Sequence, residues 1–329
     1  MYHTLKNLSP AQQVGAMFVL VFGLLVLASV SLFLLSMREH EDAQAQQNHR
    51  DRIGKLSRLL RTSWALIFVF WVAWLAGDIT RLVLFALGSF FALREFLTLS
   101  PTRRGDHRSL VLAFFGVLPF QYSLVATEHF DLFTVFIPVY VFLALPGASA
   151  LANDPVRFLE RNAKLQWGIM VCIYGMSHVP ALMLLDFPHY DKKNAFLLLF
   201  LVLVVQSCMV TQHLVSRHWP KTPAAAQISQ SFTWHSWGWG MAVGSLLGAV
   251  LAGITPFVPG QAFALSFIAC AAGSLGHLVM KALKRDRGIP IWQGQAKSVS
   301  GAGGMLDRID SLCFAAPVFF HSVRWYFGL

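Results

Sequence analysis

Asp307 and Asp310 stand where the chain turns from a glycine-rich stretch into an apolar one, in "GAGGMLDRIDSLCFAAPVFF" from Gly301 to Phe320. The protein has only 16 acidic residues in 329, so two of them at the mouth of an apolar run need a reason. Carboxylates in a helix's first turn complement its dipole, which is one reason. Spaced i, i+3 they also share a helix face, and carboxylates together with phosphate oxygens are what magnesium takes as ligands. Upstream, Lys281, Lys284, Arg285 and Arg287 supply positive charge. Gly301, Gly303 and Gly304 would let backbone amides turn toward an anion. Such a set suits magnesium-assisted phosphoryl or nucleotidyl transfer. Spacing alone leaves capping and catalysis both open.

The elements that must position these groups are read from composition. Hydrophobic residues make up 56% of the chain and charged residues 13%, with a mean hydropathy of +0.56. Soluble domains carry about twice that charge fraction, so the chain reads as an all-α, polytopic helical membrane protein. Apolar runs long enough to cross a bilayer place about ten transmembrane helices, near 14–37, 62–77, 79–93, 109–126, 131–149, 165–185, 194–213, 234–254, 257–280 and 311–328. Residues 1–61 are expected to form an N-terminal anchor with a basic cytoplasmic connection, and 62–329 the main transmembrane domain. With both termini outside, the positive-inside rule collects most of the 26 Lys and Arg residues on the cytoplasmic side.

The net charge of +10 then belongs to one face, where it would meet anionic phospholipid headgroups or a polyanionic substrate. No soluble basic domain exists to hold nucleic acid. Four cysteines lie in apolar segments without close pairing and read as small buried residues. The 12 histidines show no zinc spacing. His178 reads as a hydrogen-bonded core residue or a proton relay. Intramembrane ionisable groups, the usual mark of a transporter, are otherwise scarce. Glu95, beside Arg94, reads either as an interfacial ion pair or as a lock between helices.

The segment "KRDRGI…GAGGMLDRIDS" resembles the C-terminal signature of the phosphatidate cytidylyltransferases, also called CDP-diacylglycerol synthases. That signature runs Lys-Arg, a short spacer, Lys-Asp, Gly-His-Gly-Gly, two residues, then Asp-Arg-x-Asp. "SFFALREFLTLSPTRRGDHR" and "RFLERNAKLQWGIMVCIYGMSHVPAL" extend the likeness from about residue 60 to the end. The resemblance implies transfer of CMP from CTP to phosphatidate, with Mg2+ on Asp307 and Asp310. It also implies that Lys284, Arg285, Arg308, Gly301, Gly303, Gly304 and Ser311 lie against substrate and phosphate. The expected setting is the cytoplasmic (inner) membrane of the cell, with the site facing the cytoplasm, and dimers are common in the family.

Several positions depart from the pattern. Pro290 and Ile291 fall where the family has Lys-Asp, Ala302 where it has His, and Met209 where it has Asp. In "SQSFTWHS", Ser229, Thr233 and Trp234 fit, whereas Gln230, Phe232, His235 and Ser236 stand for Pro, Lys, Glu and Gly. Two functions therefore follow. One is the cytidylyltransferase; the other is a catalytically degenerate relative that binds lipid or regulates a partner.

Overall fold

A computed structural model describes residues 10–37, isolated positions between 46 and 71, and then 77–98, 103–187, 195–219, 221–288 and 304–329. Among these residues the chain is helical without a sheet, its one bridge joining Ala225 and Ser229. It divides into two compact units, Asn7–Arg81 and Leu82–Leu329.

In the first unit, α1 (Pro10–Ser36) is apolar on every side. Val19 and Leu27 are 70% and 65% exposed, as lipid-facing side chains are in a structure without lipid. Edge-on rings, Phe18 with Trp71 and Phe22 with Trp64, pack its inner side.

The second unit is built from α2 (Asp78–Thr98), α3 (Arg104–Ala126), α4 (Phe130–Ala150), α5 (158–182), α6 (Ala195–His218), α7 (Trp234–Leu251), α8 (Pro259–Asp286) and α9 (Leu306–Phe327). Prolines leave a mark on these helices. Each lacks an amide and crowds the carbonyl four residues back, which widens the local turn. Pro119 follows a π segment at Ala113–Val117, and Pro138 lies inside another at Phe136–Val141. Thr233 starts α7 through a capping box, its Oγ1 accepting the amide of Ser236 at 3.0 Å.

About ten spans were expected, and the structure corrects that number. Among the described residues five helices are both long and apolar enough to cross a membrane: Arg104–Ala126, Phe130–Ala150, Phe196–His218, Trp234–Ile254 and Pro259–Asp286. In α1 the apolar stretch is the shorter Val21–Ser36. The remaining helices carry charge within their length: Arg94 and Glu95 in α2, Glu160, Arg161 and Lys164 in α5, and Asp307, Arg308 and Asp310 in α9. These groups shorten the apolar run below a bilayer's thickness. The loop alternation drawn from ten spans falls with them.

Close helix approach holds the second unit together, and two glycines make it possible. A Cβ at Gly175 of α5 would sit 2.3 Å from the Cys313 carbonyl oxygen of α9. One at Gly276 of α8 would sit 2.2 Å from Phe314 Cγ. The four cysteines are buried and free, as their apolar settings suggested. α9 is therefore clasped by α5 and α8, which fixes the direction of its first turn.

Candidate functional site

His277, Lys281 and Lys284 follow one another at i, i+4 and i+7 on α8 and so share a face. That face meets the first turn of α9. Lys284 Nζ forms an ion pair with Asp307 Oδ1. His277 Nδ1 lies 2.6 Å from Asp310 Oδ2, and Asp310 is only 3% exposed. The other oxygen of Asp310 accepts the amide of Ser311 at 2.6 Å. Both carboxylates singled out in the sequence thus point to α8, each toward a basic group.

The start of α9 has a third acid. Glu95, in the last turn of α2, accepts the amide of Gly304 at 2.7 Å and that of Leu306 at 3.1 Å. Gly304 has φ +80°, a conformation that glycine adopts without strain. Glu95 is therefore a lock between helices. Arg94 beside it is exposed and has no ion pair among the described residues. Burial raises the carboxyl pKa of Glu95, the Leu306 and Gly304 amides oppose that rise, and nearby Asp307 adds to it.

Lys281 extends from the same α8 face toward the 221–233 connection. Its Nζ donates to Ser229 Oγ at 3.2 Å and to Ser231 Oγ at 3.4 Å. The two hydroxyls are themselves 3.2 Å apart. Met209, Gln212 and His213 of α6 join these groups and His277 around a cavity of about 60 Å³.

The remaining expected residues are distributed as follows. Arg285 is exposed and Arg308 partly so, with no ion pair for either among the described residues. Asp286 pairs with Arg287 at 3.5 Å. Ser311 is buried behind Asp310. Gly301, Ala302 and Gly303 lie outside the described residues, as do Pro290 and Ile291. The basic segment 103–108 takes part in a structural joint. Buried Arg161 is 3.1 Å from Asp106 and 2.5 Å from Asp154. His178, wholly buried, bonds the Tyr174 carbonyl at 2.7 Å and packs among Phe133, Phe320 and His321, as a core residue does.

Sequence reasoning passed over His277, because a single histidine in an apolar helix reads as core. Its spacing from Lys281 and Lys284 was the available signal. The pairing of Lys281 with Ser229 and Ser231 spans about fifty residues and has no local signal.

The α8 helix is also longer than a bilayer's apolar core. At about 1.5 Å per residue its 28 residues extend about 42 Å, beyond the roughly 30 Å hydrocarbon core. Its charged residues, Lys281, Lys284, Arg285 and Asp286, gather in the last two turns, after a run from Pro259 to Met280 that carries no Lys, Arg, Asp or Glu.

Over 274 residues the chain is 31% identical to the uncharacterized protein YnbB of Escherichia coli (strain K12), covering 83% of this chain and 88% of that one. It is 28% identical over 173 residues to the phosphatidate cytidylyltransferase of Mycobacterium leprae (strain TN), covering 51% and 52%. The phosphatidate cytidylyltransferase of Haemophilus influenzae (strain ATCC 51907 / DSM 11121 / KW20 / Rd) is 26% identical over 238 residues, covering 64% and 78%. The model of the cytidylyltransferase family matches residues 56–326, and the chain belongs to that family.

Proposed function

We propose that this membrane protein transfers CMP from CTP to phosphatidate, giving CDP-diacylglycerol and pyrophosphate. The observation that supports the reading is the convergence of α8 bases and α9 acids at the charged end of the apolar helix α8. There a water-soluble nucleotide and a membrane-held phosphate can meet, with the centre facing the cytoplasm, where CTP is available. A phosphate oxygen of phosphatidate bonds to the α-phosphorus of CTP. The bond from that phosphorus to the α,β-bridging oxygen breaks, and pyrophosphate leaves with the electron pair.

Lys284, Arg285 and Arg308 are the cations that would offset the triphosphate's charge. The glycine-rich approach through Gly301, Gly303 and Gly304 would lie against the nucleotide, and Ser311 supports Asp310 from behind. Two carboxylates one turn apart fit magnesium's preference for few protein oxygens plus phosphate, so Asp307 and Asp310 are the residues that would hold it. When bound, magnesium would neutralise charge on the phosphates. Lys284 and His277 would then release those carboxylates and turn to phosphate oxygens.

A second reading has its own observation: each carboxylate of the pair is already satisfied by a basic side chain of the protein. It describes a family member that retains the lipid-phosphate pocket without transfer and acts as a binding or partner-regulating subunit. The test supplies purified protein in detergent with labelled CTP, phosphatidate and Mg2+. The first reading expects CDP-lipid above a vector control, reduced at least 100-fold by Asp307→Asn. No product from a protein that still binds phosphatidate removes it in favour of the second.

A further inference from the structure

Among the cations of this cluster Lys281 differs from its neighbours. Lys284 is matched by Asp307, and His277 by Asp310. Lys281 has no acidic partner among the described residues; its hydrogen bonds go to two neutral hydroxyls. A half-buried ammonium with no acid at ion-pair distance, Asp310 acting on it only from further away, is costly, and a ligand anion would reduce that cost. The donors for one are at hand. An ammonium has three N–H groups; Ser229 and Ser231 take two, leaving a third. Each serine hydroxyl also carries a proton, and only one is needed for the contact between them.

From this geometry we infer that Lys281, Ser229 and Ser231 form a binding subsite for a terminal phosphate group, the dianionic end of a phosphate monoester or of pyrophosphate. The cavity's roughly 60 Å³ is about two waters' share of liquid volume. It has room for the outer oxygens of a phosphate beside these donors. It lies beside the charged end of α8, where Lys281, Lys284 and Arg285 follow the apolar run. The chemistry of a phosphate monoester is shared by a lipid headgroup and a free phosphate, and the test separates the two. The subsite deepens the proposed function, since it names where the acceptor phosphate or the departing pyrophosphate is held.

The experiment is calorimetric titration of the full-length protein in detergent micelles, without CTP. The titrants are short-chain phosphatidate, the matching phosphatidylcholine as a diester control, inorganic phosphate and pyrophosphate. The expected result is binding of phosphatidate or pyrophosphate but not phosphatidylcholine. Lys281→Gln weakens it at least tenfold, and Lys281→Arg stays within about threefold of the parent. Binding of phosphatidate alone assigns the subsite to the lipid; equal binding of pyrophosphate assigns it to the released product.

The double variant Ser229→Ala, Ser231→Ala is the second probe should Lys281→Gln fail to elute as folded protein, and it is expected to lose about tenfold. Unchanged affinity in folded Lys281→Gln, or in the double serine variant, overturns the proposal. So does equal binding of phosphatidylcholine. Lys281-dependent binding without turnover by the parent protein removes cytidylyl transfer and leaves the subsite. Turnover with Lys281-independent binding removes the subsite and leaves transfer.

Discussion

Replacing Glu95 by alanine removes the acceptor of two backbone amides at the start of α9, and the structure lets the two losses be weighed separately. The Leu306 amide belongs to a residue with 0% exposure, so without Glu95 it has no route to water. A buried donor left unmade costs about 1–3 kcal/mol. The Gly304 amide is in a partly exposed turn and can be hydrated, so its loss is closer to the net value of an ordinary hydrogen bond, about 0.5–1.5 kcal/mol. Removing a half-buried carboxylate returns part of this, because Glu95 no longer has to be desolvated. The expected destabilisation is about 1.5–3 kcal/mol. Glu95→Gln keeps one acceptor oxygen and should lose about half as much. Arg94→Ala is the control: that side chain is exposed and should stay within about 0.5 kcal/mol of the parent. The assay is reversible unfolding in mixed micelles with increasing sodium dodecyl sulfate, followed by tryptophan fluorescence. Equal effects of Glu95→Ala and Arg94→Ala would refute the view that Glu95 anchors the turn carrying Asp307 and Asp310.

Gly276→Ala places a methyl group 2.2 Å from Phe314 Cγ and 2.4 Å from its Cβ. The latter cannot rotate away, so α8 and α9 must separate at about 1–3 kcal/mol. Gly238→Ala meets nothing within 4 Å and should be neutral or slightly stabilising in the same unfolding assay. The joint at Asp154 predicts a pH dependence. The hydrogen bond from Arg161 holds the Asp154 carboxyl below the usual carboxylate range. Its contribution is therefore present above the ordinary pKa near 3.9 and lost as pH falls through the depressed value. Stability of the parent should exceed that of Asp154→Asn above about pH 5, the two converging toward pH 2.

The apolar helices were legible because burial in lipid requires a long run of apolar side chains, and α3, α4, α6, α7 and α8 have one. The spans assigned to α2, α5 and α9 failed for a physical reason. The charges bound the expected spans and leave each helix an apolar run shorter than a bilayer's thickness. Arg161 is tolerated inside the fold because Asp106 and Asp154 face it, and Asp106 is too far off in sequence to announce itself. The acids at the start of α9 were legible from spacing, but the bases that answer them were only half visible. Lys284 belongs to a recognisable Lys-Arg pair, whereas His277 is hidden in "GSLGHLVM". Glu95 shows the limit most plainly. Its two partners lie 209 and 211 residues away, and what they donate is backbone, which leaves no trace in side-chain pattern.

These pairings make Asp307→Asn more informative than a loss-of-activity variant usually is. If Asp307 serves transfer, the change removes a charged oxygen from the reacting centre. CDP-lipid formation then falls at least 100-fold while phosphatidate affinity changes little. If Asp307 serves chiefly to neutralise Lys284, the change has the opposite sign. It leaves Lys284 beside Lys281 on one face of α8 with a second uncompensated charge. Like-charged groups at i, i+3 repel, and a bound dianion would relieve that repulsion as well as satisfy both ammonium groups. Phosphatidate should then bind several-fold more tightly to the variant than to the parent, with a steeper weakening on added salt. Measured together on one preparation, turnover and affinity move in a pattern that only one of the two roles allows. Tighter binding without any parental turnover marks a lipid-phosphate receptor, whereas lost turnover at constant affinity marks an enzyme. Constant affinity with no parental turnover to lose would refute both accounts of the Lys284–Asp307 pair, leaving that contact to structure alone.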